Sequence, residues 1–133
     1  MTLSPCLREL RGEWLPHITD QGLDRVIDLL EKGSPLLIHG AFTRALPMGC
    51  LATHIAWHHP STKRFTVEAG IMWLSRVAHL NPATSEVIRS WDTRGPHDWE
   101  LRSALLETFK QERDRRLNAE PVVEEEVGEP VLA

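Results

Sequence analysis

The chain has 133 residues, the usual size of a single domain, and its 41% hydrophobic residues are enough to build one core. Its net charge is −4, and no apolar run approaches the roughly 18 residues that a membrane span needs, so the composition disfavours a membrane protein. The first ten residues show no signal-peptide pattern, and the two cysteines, Cys6 and Cys50, are too few for a disulfide framework. A cytoplasmic protein with reduced thiols is therefore expected.

The chain opens with a short predicted helix. Ser4 followed by Pro5 is typical of a helix start, because proline fits the first turn. Gly12 and Pro16 then predict that this helix is brief and is interrupted before residue 17.

Residues 19–32 give the clearest helical pattern of the sequence. Apolar residues recur there at i, i+3, i+4 and i+7, and they are Leu23, Val26, Ile27 and Leu30. Thr19 or Asp20 can cap the start, and Gly33 can close the end in a left-handed conformation. The pattern predicts an amphipathic helix that packs one face on the core.

Residues 33–60 are harder to assign. The run Leu36–Ile38 is too short for periodicity to separate a strand from a buried helical turn, and nearby prolines and glycines favour a loop. A minor short strand pair near Leu36 or Phe65 fits the composition. Residues Met48 to His58 predict a helix, which Pro60 terminates.

Three helices are predicted in the second half of the chain. The first covers residues 71–80, and the second covers 81–91 with Asn81 as its cap and Pro82 at its first helical position. The third runs from its predicted cap, Asp98, to Arg116. The apolar stripe of this last helix consists of Leu101, Leu105, Leu106 and Phe109.

The composition changes after Asn118. Residues 119–133 contain five glutamates, no basic residue and no periodicity, which predicts a disordered acidic tail. Removing these five from 19 acidic residues leaves 14 against 15 basic ones, so the predicted domain of residues 1–118 is nearly neutral and offers no electrostatic case for nucleic acid. The tail is either a solvated extension or a peptide that binds a partner. Its partner-binding candidates are Glu124, Glu125, Glu126, Val131 and Leu132.

One of the two cysteines and three of the seven histidines fall within residues 48–60. Cys50, His54 and His58 form one column on the predicted helix, which suggests a zinc site. About 12 Å of helical rise separates Cys50 from His58, so at most two of the three can bind one ion. Further ligands would be other histidines, with His39, His79 and His97 as the candidates.

Two other interpretations of this stretch exist. Cys50 can act as a nucleophile with His54 as its base, because a thiol in a first helical turn has a lowered pKa. Alternatively, the stretch is a central buried helix in which Cys50 is a small core residue and each histidine has one hydrogen-bond partner. We prefer this structural interpretation because the helix is apolar on most sides, and no cofactor is expected on it.

Residues 74–91 resemble a helix-turn-helix. The residues that would face the DNA major groove are Thr84, Ser85 and Arg89. However, the turn position that usually carries glycine is Pro82, and Glu86 and Asp92 lie among the arginines. Two ordinary packed helices are therefore the preferred interpretation, and nucleic acid is not an expected partner.

Two short stretches resemble a small uncharacterised family of bacterial and phage helical proteins. Cys-Leu-Ala-Thr-His-Ile from Cys50 corresponds to the family's Cys-Ala-Leu-Gly-Ala-Leu helix, and Trp-Asp-Thr from Trp91 corresponds to its Trp-Asn-Asp. Thr53 stands where the family has glycine, and Asp92 stands where it has asparagine. The resemblance covers Leu23 to Phe109 and implies a compact helical fold without a known reaction.

Together these patterns predict a mostly α single domain of four to five helices, with residues 48–58 in the centre. The sequence contains no phosphate loop or nucleotide fingerprint. The leading hypothesis is a non-enzymatic interaction or regulatory protein that binds another protein through its helical body, its acidic tail or both. The alternatives are a metal or thiol site on the histidine-rich helix and helix-turn-helix DNA binding.

Overall fold

A computed structural model describes residues 3–64 and 66–132, with side chains described up to residue 119. The predicted mostly α single domain is confirmed, with six helices instead of four to five and no strand among the described residues. The helices are α1 (Ser4–Glu9), α2 (Asp20–Lys32), α3 (Leu51–Ala56), α4 (Ala69–Met72), α5 (Glu86–Arg94) and α6 (Trp99–Leu132). The predicted disordered tail, residues 119–133, falls on the last part of α6, where side chains from residue 120 onward are not described.

The amino-terminal region stays helical for longer than predicted. After α1 the backbone continues as a π-helical turn, Leu10–Trp14, and then as a 3-10 turn, Leu15–His17. The predicted interruption at Gly12 is therefore wrong, because Gly12 lies inside the π-helical turn and the chain stays helical there. Pro16 lies in the first turn of the 3-10 segment, where its missing N–H costs no hydrogen bond.

Helix α2 confirms both predicted ends. The Thr19 hydroxyl accepts a hydrogen bond from the Gly22 amide at 3.1 Å and so caps the start. Gly33 has a φ of 60°, and the amides of Gly33 and Ser34 bond to the Leu30 and Leu29 carbonyls. The predicted apolar stripe is buried against the core.

Helix α3 is shorter than predicted, because it begins only at Leu51 and ends at Ala56. Met48 and Gly49 precede it in an extended segment, where Gly49 bridges to Leu37 and to Thr43. These isolated bridges are all that the described residues contain of the predicted strand pair, and Phe65 lies outside them. All six side chains of α3 are buried, which confirms a central position for this helix.

The boundaries between residues 69 and 94 also differ from the prediction. α4 is a single turn that continues as a π-helical turn, Trp73–Val77. α5 begins at Glu86 and not at Asn81, because the Asn81 side chain accepts from the Ala83 amide in a turn. Ser85 is the true cap, and its hydroxyl accepts a hydrogen bond from the Ile88 amide at 3.3 Å.

Helices α2 and α6 form an antiparallel pair that organises the molecule. Arg102 on α6 bonds to the Leu30 carbonyl of α2, whereas Arg116, further along α6, pairs with Asp20 at the start of α2. The predicted cap Asp98 is confirmed, because its carboxylate accepts from the Leu101 amide at 2.9 Å. The fully buried stripe of α6 consists of Leu101, Leu105 and Phe109.

A carboxylate from α1 holds α5 in place. Glu9 accepts hydrogen bonds from the Ser85 hydroxyl and from the Glu86 and Val87 amides at the amino terminus of α5. It also accepts from the Trp14 indole N–H at 2.9 Å. A negative charge at a helix amino terminus is favourable, so this contact joins α1 to α5 across 76 residues of sequence.

No helix in the described part of the chain is both long enough and apolar enough to cross a membrane.

Candidate functional site

The histidine-rich stretch forms part of the core. Cys50 occupies the N-cap position of α3, His54 lies within α3, and His58 follows its end. The His54 Nε2 atom lies 2.8 Å from the Leu36 carbonyl oxygen, so that nitrogen carries the proton and donates it. The His58 ring bonds through Nδ1 to the His54 carbonyl at 2.9 Å. The His59 Nδ1 atom accepts a hydrogen bond from the Ser61 amide at 3.0 Å. Each histidine of the stretch thus has a hydrogen-bond partner on the backbone, an arrangement that fits the structural interpretation.

His54 is 1% exposed, and burial lowers the pKa of its imidazole to about 4. The hydrogen bond to Leu36 acts in the opposite direction but does not offset the desolvation. Its Nδ1 atom has no hydrogen-bond partner in the described structure. The ring is consequently neutral at physiological pH.

Cys50 has a less reactive environment than a nucleophilic thiol requires. Its side chain is buried, and burial raises the pKa of the thiol, although hydrogen bonds from Thr53 and Ala52 act in the opposite direction. The lowered pKa expected for a thiol in a first helical turn is therefore not observed. Cys50 and Cys6 are both free.

The described residues contain no group of three or more His, Cys, Asp or Glu side chains arranged to hold a metal ion. The other candidate histidines lie at different places. His79 stacks edge to face with His17, with ring centroids 6.4 Å apart, whereas His39 and His97 line a cavity described below. The structure does not bring these histidines together with Cys50 and His54.

The helix-turn-helix candidates do not share one face of a helix. Thr84 lies in the turn before α5 and is exposed. Ser85 is 2% exposed, and its hydroxyl is directed inward to Glu9. Arg89 is exposed on α5 and lies 3.9 Å from the Glu86 carboxylate. The tail candidates Glu124, Glu125, Glu126, Val131 and Leu132 lie outside the described side chains.

A candidate binding site is a cavity of about 390 Å³ between the end of α2, residues 34–48 and the junction of α5 with α6. We call it the α2–α5 cavity. Its apolar lining consists of Leu29, Leu30, Gly33, Pro35, Leu37, Ile38, Met48, Trp91 and Pro96. Its polar lining consists of Ser34, His39, Arg44, His97 and Arg102. A volume of this size is within the range of small ligand pockets.

Hydrogen bonds from two central helices fix one wall of the α2–α5 cavity. His54 of α3 donates to the Leu36 carbonyl, and the Trp91 indole of α5 donates to the Ile38 carbonyl at 2.7 Å. The Leu36 carbonyl also accepts from the Gly49 amide, and the Gly49 carbonyl accepts from the Ile38 amide. An irregular loop is thereby attached to the core, which gives the cavity a preformed wall.

The polar side chains that line the α2–α5 cavity are cationic or neutral. Among its described lining residues there is no Asp or Glu, but there are two arginines and two histidines. Arg44 is exposed and makes none of the salt bridges found between described side chains. Arg102 donates from Nε and Nη2 to the Leu30 carbonyl, and its Nη1 has no partner in the described structure. The cavity therefore favours an anionic group at its opening.

Two glycines with positive φ lie behind these polar side chains. A Cβ at Gly95 would lie 3.4 Å from the His39 ring, and a Cβ at Gly33 would lie 3.5 Å from Arg102 Nη2. Both glycines have φ values that L residues rarely adopt, 81° and 60° respectively. The two tight turns thus position His39 and Arg102 at the edge of the α2–α5 cavity.

Trp99 is the exposed tryptophan of this protein. It is 77% exposed in the first turn of α6, whereas Trp14, Trp57, Trp73 and Trp91 are buried. Residues three apart on a helix are neighbours, so Trp99 lies beside Arg102. An exposed tryptophan next to a cavity is typical of a binding surface, because tryptophan is enriched among residues that contribute most to binding.

Sequence patterns did not identify Arg44, Trp99 and Arg102 as site residues. Only Trp99 has a signal in the composition, because five tryptophans are many for one small core. The structure shows that Trp99 is the exposed one. The candidate metal ligands His39 and His97 both lie at the α2–α5 cavity. Residues far apart in sequence form this site, so periodicity carries no information about it.

No protein family, curated protein or solved structure matches this chain. The resemblance to small bacterial and phage helical proteins stays a prediction.

Proposed function

We propose that this protein is an interaction module that binds another protein through Trp99 and the opening of the α2–α5 cavity. The observation that carries the proposal is the 77% exposure of Trp99, which lies two residues from His97 and three from Arg102, and both of these line that cavity. An exposed indole contributes a large apolar area to an interface, and a neighbouring cavity can receive a side chain of the partner.

The fixed wall of the α2–α5 cavity supports the same function. Because His54 and Trp91 hold the Leu36 and Ile38 carbonyls, binding does not have to order this loop. A preformed site avoids part of the entropic cost of association.

The free thiols of Cys6 and Cys50 support a cytoplasmic location, since a reducing compartment keeps thiols unpaired.

Site-specific photo-cross-linking tests this function. A photoreactive phenylalanine analogue replaces Trp99 in one variant and Ile71, an exposed apolar residue of α4, in a matched control. We expect a discrete cross-linked product from position 99 in the producing cells, and only a weak, heterogeneous background from position 71. The Arg44→Glu change should reduce the product from position 99.

The two positions make the result interpretable, because both substitutions replace exposed apolar side chains of helices and Ile71 is not part of the cavity lining. Equal products from positions 99 and 71, or a product at 99 that does not respond to Arg44→Glu, would contradict the proposed surface. Unchanged thermal unfolding of both variants shows that the fold is intact.

A further inference from the structure

The α2–α5 cavity and the last fourteen residues have complementary chemistry. The cavity has an apolar floor, two arginines and two histidines, and none of its described lining residues is acidic. Residues 120–133 contain five glutamates together with valine, leucine and alanine, and no basic residue. The rest of the chain has 15 basic residues against 14 acidic ones, so residues 120–133 are the one strongly acidic stretch in the sequence.

The direction of α6 places these two features at opposite ends of the helical body. The cavity lies at the end of α2, where Arg102 meets Leu30. Arg113 and Arg116 further along α6 pair with Asp24 and Asp20 at the start of α2. About 27 Å of helical rise separates Trp99 from Leu117, so α6 carries the chain away from its own cavity.

We propose that the α2–α5 cavity binds the acidic C-terminal segment, residues 120–133, of a second copy of this protein. The inference rests on the proposed function, because it uses the same surface and names the partner. Complementary charge favours this occupant, and the direction of α6 favours a second copy over the same chain. The segment is long enough to supply both an apolar side chain and several carboxylates.

The contacts follow from the lining of the cavity. Arg44 and the unpartnered Nη1 of Arg102 are directed to glutamate carboxylates, since guanidinium groups bind carboxylates through paired N–H donors. A valine or leucine of the segment enters between Leu37, Ile38 and Met48. Trp99 covers the segment from outside, so the apolar and ionic contacts act on the same peptide.

Sedimentation velocity on the full-length protein, over two decades of concentration, tests this inference. We expect reversible, concentration-dependent association. Arg44→Glu should weaken it by at least about tenfold, because a charge pair becomes a like-charge contact. The triple change Glu124→Gln, Glu125→Gln and Glu126→Gln should weaken it similarly. Arg76→Glu is the matched control, because Arg76 is exposed and lies outside the cavity lining.

A mixing experiment tests whether the cavity and the acidic segment pair with each other. Protein with Arg44→Glu should associate with protein in which Glu124, Glu125 and Glu126 are changed to lysine, although each variant alone associates weakly. Failure of the mixture to associate would overturn the proposed pairing. An equal loss with Arg76→Glu would show that only net charge matters, which also overturns it.

A monomer at every concentration would overturn the inference as well. Such a result would leave the proposed function intact if position 99 still cross-links to a different protein. If the chain is monomeric and position 99 gives no discrete product, both proposals fail. Cross-linking of position 99 to residues 120–133 of the same chain would contradict the second copy and identify an intramolecular contact.

Discussion

His54 shows how a residue that is typical of catalytic sites can instead hold a loop. Its ring is buried, and its Nε2 donates to the carbonyl of Leu36, which lies between the cavity-lining residues Pro35 and Leu37. The sequence pattern predicts one helical column of Cys50, His54 and His58, whereas only His54 lies within α3. The pattern also contains no information on where the rings are directed. Only the neighbouring chain segment, eighteen residues away, decides that His54 is a structural donor.

The lowered pKa of His54 predicts a pH-dependent stability. The folded protein holds this pKa at about 4, whereas an unfolded chain titrates near 6.5. The unfolded state therefore binds the proton more readily between these values. The contribution of neutral His54 to the free energy of unfolding is up to about 3 kcal/mol. It is fully present above pH 6.5 and is lost as the pH falls to 4. Urea unfolding of wild type and His54→Gln across this range measures it.

Glutamine is the informative replacement, because its amide can still donate to the Leu36 carbonyl but does not titrate. We expect wild type to lose more stability than His54→Gln between pH 7 and pH 4. His97→Gln, at an exposed histidine, is the control and should follow wild type. Identical slopes for wild type and His54→Gln would show that His54 is not the titrating group.

The contact between α3 and α4 predicts a second effect at the level of one residue. A Cβ on Gly70 would lie 2.4 Å from Thr53 Oγ1 and 3.0 Å from the Thr53 backbone nitrogen. Gly70→Ala should therefore reduce the free energy of unfolding by about 1 to 3 kcal/mol, as overpacking of a core does. Chemical denaturation of the two proteins gives the difference.

Gly12→Ala is the matched control for Gly70→Ala. A Cβ on Gly12 would meet nothing within 4 Å, and the residue is helical. Because alanine is the better helix former, we expect this change to leave stability unchanged or to raise it by up to about 1 kcal/mol. A comparable loss in both variants would mean that close packing against Thr53 is not the cause.

At the level of helices, the sequence predicts both ends of α2 but not the start of α5. Thr19 and Gly33 cap α2 with local contacts, so the residue types alone indicate both ends. The start of α5 was predicted at Asn81, because Asn-Pro is typical of a helix start. It lies at Glu86, where the Glu9 carboxylate and the Ser85 hydroxyl cap the helix. A contact from α1 is not visible in the local pattern.

We expect replacement of Glu9 to reduce the stability of the protein, because this residue joins α1 to α5. Glu9→Gln keeps the size of the side chain but removes its charge and one acceptor oxygen. We expect the free energy of unfolding to fall by about 1 to 3 kcal/mol, because buried donors lose a charged partner. Glu13→Gln, at an exposed glutamate of the same region, should change it by less than about 0.5 kcal/mol.

Thermal and urea unfolding measure both variants. If Glu9→Gln and Glu13→Gln had the same small effect, the carboxylate would not be needed to cap α5. Amide hydrogen exchange adds a local measure, since the amides of Glu86 and Val87 bond to Glu9 and should exchange faster in Glu9→Gln.

At the level of the whole molecule, the fold class was predictable and the candidate site was not. Helical periodicity is local, so the mostly α domain and its central α3 follow from the sequence. The α2–α5 cavity combines the end of α2, residues 34–48 and the start of α6. Its walls depend on hydrogen bonds such as Trp91 to Ile38, which join residues 53 positions apart. No pattern within one helix indicates that residues so far apart in sequence are in contact.

The packing of α6 also predicts what removal of the C-terminal segment does. The described contacts of α6 with α2 extend from Arg102 to Arg116, so the core lies before residue 119. Deleting Glu120–Ala133 should change the melting temperature by less than about 2 °C at low protein concentration. Differential scanning calorimetry checks this, and a larger decrease would show that the segment contributes to the folded body.

The unequal burial of the tryptophans provides an optical reporter at the candidate site. Four indoles are enclosed in the core, whereas Trp99 is 77% exposed. Emission from Trp99 should therefore lie at longer wavelength and be open to quenching by iodide, while emission from the others stays protected. A ligand that covers Trp99 would shift that emission to shorter wavelength without any attached dye.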